Sequence, residues 1–472
     1  MKLSDWTPLL LVLHTVAGFS QAQVINSLLD LSSSSRTVLP SLSRPANYSH
    51  IFYAVMFDAG STGTRIHVFT FIHTDSEELP VLDNEMFYST KPGLSAYVDI
   101  PEMAAQTVRT MLKVAKNAVP RLEWKRTPVL LRATAGLRLL PAGKAQALLD
   151  QVQHVFDESP FFVPDNSVSI MNGTKEGILA WITMNFLTGH LRKETKSTVG
   201  ILDLGGGSTQ ITFLPKLKKT IEDVPGADYI ARFDALNRTF ELYSHSYLGN
   251  GQMVARLAVL GALDAEGTVH EVFRSSCLPK KFRGEWSFGG LTYQVSGDPD
   301  GYTGYKTCYQ EVLKAVKGII HQPFELEDNT VFYAFSYYYD VAVDAGLIGD
   351  VHGGRLQVRD FKKKAKEACS KTTKRPPAFP FLCMDMTYIT CLLKDGFGFK
   401  ESTVLQVRPF QLYATQQCCL CIIFSETCLG ASTRVCFKSR MRFCKNSLSV
   451  LKIKPLLFFK YKYLQGRKSW CI

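Results

Sequence analysis

Cysteine is missing from residues 1–276 of this 472-residue chain. That absence excludes a cysteine nucleophile and a thiolate metal site from more than half of its length. Five cysteines follow at Cys277, Cys308, Cys369, Cys383 and Cys391, and seven crowd the end, at Cys418, Cys419, Cys421, Cys428, Cys436, Cys444 and Cys471. Acidic residues are scarce at that same end. From Arg408 to Ile472 there are 12 Lys and Arg against one acid, Glu426, a local charge of +11. The whole chain carries +12, so 12 − 11 leaves the first 407 residues at about +1. The basic balance belongs to the tail, and the charge of the near-neutral body argues neither for nor against a polyanionic partner, so no nucleic-acid partner is expected from it. Long apolar runs are lacking too. Pro8–Phe19, interrupted by His14, Thr15 and Gly18, is well short of the roughly 20 residues a bilayer-spanning helix needs.

What is present at the start is Lys2, that apolar run, and the small residues Ser20 and Ala22 ahead of Gln23. This is the pattern of a cleaved signal peptide over residues 1–22, so a mature chain without a membrane span is expected, in the lumen of the secretory pathway or secreted. Residues 23–47 are rich in Ser and read as a poorly ordered leader. The compartment permits disulfides. Cys277 with Cys308 and Cys369 with Cys383 are the expected pairs, with Cys391 free, although spacing alone does not prove a connectivity. Sequons for N-glycans occur at Asn47, Asn172 and Asn237, and Asn237 is the expected acceptor.

Along the body, strands and helices alternate. Ile51–Phe57 and Arg65–Ile72 are apolar, β-prone runs joined by the polar turn Asp58-Ala-Gly-Ser-Thr-Gly-Thr64. Met103, Val108, Met111, Leu112, Ala115 and Val119 keep the 3.6-residue beat of an amphipathic helix, with Pro101 in its first turn and Pro120 at its stop. A short strand at 128–131 and a helix over 144–156 follow, then a helix over 176–186. The strand Val199–Leu204 runs into Asp203-Leu-Gly-Gly-Gly-Ser-Thr209 and a second strand, Gln210–Leu214. The first hairpin is thus repeated about 145 residues on, which points to a domain-scale duplication and an α/β protein of two similar lobes.

Turns rich in Gly, Ser and Thr expose successive backbone N–H groups and hydroxyls that hold an anion, and glycine lets the backbone approach it closely. An Asp at the head of each turn cannot bind phosphate directly, since both are negative. It makes sense if a hard cation, Mg²⁺ or Ca²⁺, sits between them. Two such loops facing one another would grip a chain of phosphates from both sides. With no cysteine available, water activated by a general base is the better nucleophile. Glu176, beside Gly177 at the start of its helix, is placed for that role. A Glu in a first helical turn also serves as a dipole partner, and position alone favours that plainer role.

Asp58-Ala-Gly-Ser-Thr-Gly-Thr-Arg65, Ala133-Thr-Ala-Gly-Leu-Arg138, Gly173-Thr-Lys-Glu-Gly177 with Ala180-Trp181, and Asp203-Leu-Gly-Gly-Gly-Ser-Thr-Gln210 resemble, in order, the first four signature regions of the apyrases, the ectonucleoside triphosphate diphosphohydrolase family. Ser244–Gly249, Tyr333–Asp340 and Leu393–Phe399 resemble its soluble endoplasmic-reticulum branch. The resemblance implies an actin-like (ribonuclease H-like), two-lobed duplicated fold with nucleotide in the cleft. It implies that Ser61, Thr62, Gly63, Gly206, Gly207 and Ser208 cradle phosphates, and that Asp58 and Asp203 hold Ca²⁺ or Mg²⁺ through water. It further implies that Thr134 and Gln210 place the attacking water, that Glu176 takes its proton, and that Tyr337 stacks on the base. The implied reaction is hydrolysis of nucleoside diphosphates, UDP and GDP before triphosphates, by a monomer that removes the UDP left by lumenal glucosyl transfer.

The likeness spans about residues 50–406, with lobe I expected over 48–165 and lobe II over 166–406. Residues 407–472 are expected to be disordered and unrelated to the family, since they lack a helical apolar period and a zinc-like cysteine spacing. The family continues there with a helix that completes the first lobe, so a catalytically impaired, non-catalytic chain is the competing expectation. A sugar kinase or chaperone ATPase of the same superfamily shares phosphate loops but fits Glu176-Gly177 poorly. The sequon at Asn172 lies four residues before Glu176, where a glycan would obstruct the cleft, so it is expected to stay unmodified. Asn250 stands where an aromatic is expected.

Overall fold

The computed structural model describes residues 50–73, 81–191, 197–235, 238–265, 271–324, 326, 330–371 and 379–409. Expectations for the signal peptide, the leader, Asn47, Asn237 and the tail from residue 410 onward lie outside them. In chain order the first half holds β1 (His50–Ala59), β2 (Thr64–His73), β3 (Val81–Thr90), α1 (Pro101–Ala118), β4 (Val129–Ala133), α2 (Ala135–Arg138), α3 (Ala142–Asp157) and β5 (Val168–Ile170). The second holds α4 (Gly173–Leu187), β6 (Gly200–Leu204), β7 (Ser208–Phe213), α5 (Lys219–Glu222), β8 (Ile230–Ala235), β9 (Arg238–Leu248), α6 (Gln252–Leu260), β10 (Val272–Ser275), β11 (Arg283–Phe288), β12 (Leu291–Gly297) and α7 (Tyr305–Lys314). It ends with β13 (Phe332–Ser336), α8 (Tyr337–Asp344), β14 (Gly354–Gln357), α9 (Val358–Lys371), α10 (Leu382–Cys391) and β15 (Val404–Val407).

The duplication is visible in the sheets. One has the order β3-β2-β1-β4-β5, and the other β14-β15-β13-β6-β7-β9-β8. In the first, β1 is antiparallel to β2 and parallel to β4, while β2 is antiparallel to β3 and β4 parallel to β5. The second repeats this with β6, β7, β13, β9 and β15 in the same places. Among the described residues the small sheet β10-β12-β11 has no counterpart in the first half. β5 lies past the 165/166 division expected from sequence, yet it bonds to β4, so the first sheet extends to Ile170. At the other end β15 runs to Val407, which is buried and pairs with Ala334.

The first sheet is covered by two helices, and the apolar face of α1 is the one that the sequence period anticipated. Val55, Phe57, Ile66 and Val68 pack with Val108, Met111 and Leu112 of α1 and Leu148, Val152 and Phe156 of α3. Met103 departs from the expected face and is 47% exposed, because Ala104 and Ala105 fill the contact at the start of α1. The expected disulfides are formed, Cys277–Cys308 tying the end of β10 to α7 and Cys369–Cys383 tying α9 to α10. Cys391 is free and buried. Asn250 is explained by its setting: its Nδ2 donates to the Ala315 carbonyl at 3.2 Å, and its own carbonyl accepts from the Tyr388 hydroxyl at 2.6 Å. No described helix is long and apolar enough to cross a membrane.

Candidate active site

The two polar turns face each other. A Cβ on Gly206 would lie 2.6 Å from both Ser61 Oγ and Thr62 Cγ2, and one on Gly207 would lie 3.0 Å from Ala135 Cβ and 3.4 Å from Ser61 Cβ. Only glycine permits this approach of one loop to the other. A Cβ on Gly63 would lie 3.0 Å from the Thr90 carbonyl oxygen and 3.7 Å from Lys91 Cγ. The second loop is seated on α6, where Gln252 N donates to the Gly205 carbonyl at 2.8 Å and Met253 N to the Gly206 carbonyl at 2.9 Å.

Glu176 is delivered by α4. Asn172 caps that helix, its Oδ1 accepting from Thr174 N at 2.9 Å and Lys175 N at 3.4 Å. The glycines of Gly173-Thr-Lys-Glu-Gly177 have a packing reason. A Cβ on Gly173 would fall 2.4 Å from Ser246 Oγ, and one on Gly177 2.6 Å from Thr212 Oγ1, so only glycine lets the helix lie this close to β7 and β9. Glu176 Oε2 then accepts from Arg138 Nη2 at 2.5 Å and Gln210 Nε2 at 3.2 Å. Gln210 Nε2 also reaches Ser208 Oγ at 2.8 Å and Ser246 Oγ at 2.9 Å. Burial pushes the Glu176 carboxyl up to about 7, with Arg138 pulling it down and Asp203 and Asp58 pushing it further up. A carboxyl held near neutrality serves as a general base.

The aspartates occupy equivalent positions. Asp58 pairs in register with Arg65 across the first hairpin and Asp203 with Gln210 across the second. Arg65 Nη1 bonds to Asp58 Oδ2 at 2.9 Å. Asp203 is 8% exposed, and its Oδ1 accepts from Ser336 Oγ at 2.6 Å. Burial raises its carboxyl, the Ser336 hydrogen bond lowers it, and the charge of Asp58 raises it again. Two hard carboxylates that repel each other, one of them buried, suit a divalent cation between them. Among the described residues the one tight group of three candidate ligands is Cys308, Cys369 and Cys383, and these are disulfide sulfurs without thiolate charge to offer a metal.

Thr134 closes β4, its N–H bonded to the Ala59 carbonyl at 3.1 Å, and its own carbonyl accepts from Arg138 N at 3.2 Å. It thus stands between the first hairpin and the helix that carries Arg138, while its hydroxyl makes no helix cap. Tyr337 opens α8 half-buried, and burial raises its hydroxyl while Thr62 and the charge of Arg256 lower it. Sequence reasoning assigned no role to Arg65, Arg138, Ser246 or Ser336. All four sit inside the quoted motifs, Ser336 within Tyr333–Asp340 at a strand–helix junction, and their side-chain types were the available signal.

Arg138→Met removes the charge that lowers the Glu176 carboxyl. The acid limb of the kcat/KM profile should therefore move to higher pH, with a larger loss at pH 6.5 than at 8.5. Parallel profiles for variant and wild type would show that Arg138 does not tune Glu176.

Comparison with known proteins addresses the family. A family model described as the GDA1/CD39 (nucleoside phosphatase) family matches residues 46–419, past Gln406 and into the segment expected to be unrelated. The chain is 58% identical over 356 residues to ectonucleoside triphosphate diphosphohydrolase 5 of Gallus gallus, covering 75% of this chain and 83% of that protein. It is 56% identical over 364 residues to the Homo sapiens protein named nucleoside diphosphate phosphatase ENTPD5, covering 77% and 85%. It is 47% identical over 392 residues to ectonucleoside triphosphate diphosphohydrolase 6 of Mus musculus, covering 82% and 85%. In fold it is similar to a nucleoside triphosphate hydrolase of Neospora caninum, with a TM-score of 0.52 at 14% identity over 82% of this chain and 92% of that one. The two-lobed, actin-like architecture and the match over most of the body lead to one conclusion: this chain belongs to the GDA1/CD39 family of nucleoside phosphatases.

Proposed function

We propose that this chain hydrolyses nucleoside diphosphates to nucleoside monophosphate and phosphate, with UDP and GDP preferred. The observation that carries the reading is the hydrogen-bonded chain Glu176–Gln210–Ser208, which joins a near-neutral carboxyl to the second phosphate loop while that loop touches Ser61 and Thr62 of the first. The name of the human relative, nucleoside diphosphate phosphatase, supports the substrate class.

In this reading the N–H groups and hydroxyls of Ser61, Thr62, Gly63, Gly206, Gly207 and Ser208 hold the two phosphates. Thr134 and Gln210 place a water against the terminal phosphorus, and Glu176 accepts its proton as the water oxygen bonds to phosphorus. The bond from the terminal phosphorus to the bridging oxygen breaks, and the monophosphate leaves. Asp58 and Asp203 would hold Ca²⁺ or Mg²⁺, whose charge would offset that developing on the phosphate oxygens. Tyr337 lines the base side of the cleft. The setting is the endoplasmic-reticulum lumen or the extracellular space, the protein acts as a monomer, and removal of UDP supports glycoprotein reglucosylation.

Phosphate release from UDP, GDP, ADP and the corresponding triphosphates, with Ca²⁺ or Mg²⁺, tests the proposal on the full chain. Diphosphates should exceed triphosphates in kcat/KM by about tenfold or more, a difference of about 1.4 kcal/mol in transition-state stabilisation. A folded chain that releases phosphate from none of them would instead support the catalytically impaired reading.

A further inference from the structure

The two hairpins are copies, yet their carboxylates are held differently. Asp58 is bonded to Arg65, the residue opposite it in the hairpin. At the same register position in the second hairpin stands Gln210, whose Nε2 is engaged by Glu176, Ser208 and Ser246. The Asp203 carboxylate takes its hydrogen bond from outside the hairpin, from Ser336 Oγ at 2.6 Å. Ser336 is the last residue of β13, the strand beside β6, at the point where the chain turns into α8. Its backbone is at φ 56° and ψ −125°, a conformation that disfavours any residue with a Cβ. Among the described residues the other non-glycine residue with positive φ is Asn166, a type that tolerates it. Glycine would suit this elbow better, so what serine adds there is the hydroxyl.

We infer that Ser336 is a positioning residue for the second cation-holding carboxylate. It fixes the orientation of Asp203 from the neighbouring strand and so frees Gln210 to hold Glu176 and the attacking water. The duplicated scaffold thereby divides one position's task between two residues. In lobe I Arg65 restrains the aspartate, while in lobe II Ser336 restrains it and the residue opposite works at the base. The inference rests on the reading of Asp203 given under the proposed function.

The test uses the full chain and the variants Ser336→Ala, Ser336→Gly and Asp203→Asn. Mn²⁺ affinity is read by electron paramagnetic resonance in the presence of α,β-methylene-UDP, which is not hydrolysed, alongside thermal melts and steady-state kinetics. Both Ser336 variants should bind Mn²⁺ about tenfold more weakly, the effect of losing one hydrogen bond to a charged group. Their KM for UDP at saturating cation should stay within about twofold of wild type. Ser336→Gly relieves the backbone and should melt no lower than wild type, so its loss of affinity cannot be laid to unfolding. If Ser336→Gly keeps wild-type Mn²⁺ affinity while Asp203→Asn has lost it, Ser336 does not position the carboxylate. If Asp203→Asn itself keeps wild-type affinity, the reading of Asp203 falls, and this inference with it.

Discussion

Replacing Glu176 by Gln should lower kcat about 10³-fold, within the range of 10²–10⁴ ascribed to a general base, with KM for UDP little changed. The amide keeps the shape and can still accept from Arg138 and Gln210, but it cannot take a proton from water. Protein stability separates this loss from a folding defect. The Glu176 carboxyl is raised from 4.5 to about 7 in the folded chain, so the folded state holds its proton where the unfolded state has released it. Its burial as a carboxylate therefore costs stability increasingly as pH rises through that window, and fully above about 7. A neutral Gln escapes the cost, so at pH 8 the variant should melt at or above the wild-type temperature. A cation beside Asp58 and Asp203 would cancel their repulsion, placing the acid limb of the loaded enzyme below about 7. A Glu176→Gln enzyme retaining more than about a tenth of kcat would remove Glu176 from the role of base.

Asp385→Ala should cost about 3–5 kcal/mol, a large part of a total stability of order 5–15 kcal/mol. Asp385 of α10 is 5% exposed and accepts from Arg256 Nε at 2.8 Å, Arg256 Nη2 at 2.6 Å and Gln252 Nε2 at 2.8 Å. Removing it leaves the Arg256 guanidinium, packed on Trp286 and Phe381, without its counter-charge. The damage reaches the site because Gln252 opens α6, the helix on which the Gly205–Gly206 backbone is seated. Urea unfolding should show the lower midpoint, and phosphate release should fall with it. The double variant Asp385→Ala/Arg256→Met should recover much of the stability, since no buried charge is then left unpaired. If the double variant is no more stable than Asp385→Ala, the loss comes from the cavity rather than from the orphaned arginine.

Part of this arrangement is marked in the sequence. The hairpins could be read because β-branched and aromatic runs flank turns whose glycines and hydroxyls admit few other roles, and because the pattern occurs twice. Glu176 was legible as a candidate only, since a first-turn Glu has an ordinary explanation. What separates the two roles is its surroundings, and those come from afar in the chain: Arg138 is 38 residues away and Gln210 34. Asn172 could be seen as a sequon but not as the cap that sets the helix carrying Glu176. Met103 obeyed the helical period and still faces outward, because period locates a face and not its edge. The first sheet reaches past the expected lobe boundary for a related reason: a three-residue strand such as β5 is defined by its partner β4 and carries too little pattern of its own.

The sequence by itself determined the duplication, the paired aspartate-headed loops and the identity of the base candidate, because each is written in local residue chemistry or in a repeat. Only the tertiary structure decided that the loops meet at Gly206 and Ser61, that Arg138 and Gln210 converge on one oxygen of Glu176, and that Ser336 rather than Gln210 holds Asp203. Those contacts join strands and helices far apart in the chain. Charge and hydrogen bonding act through distance in space, which a linear order of residues does not contain.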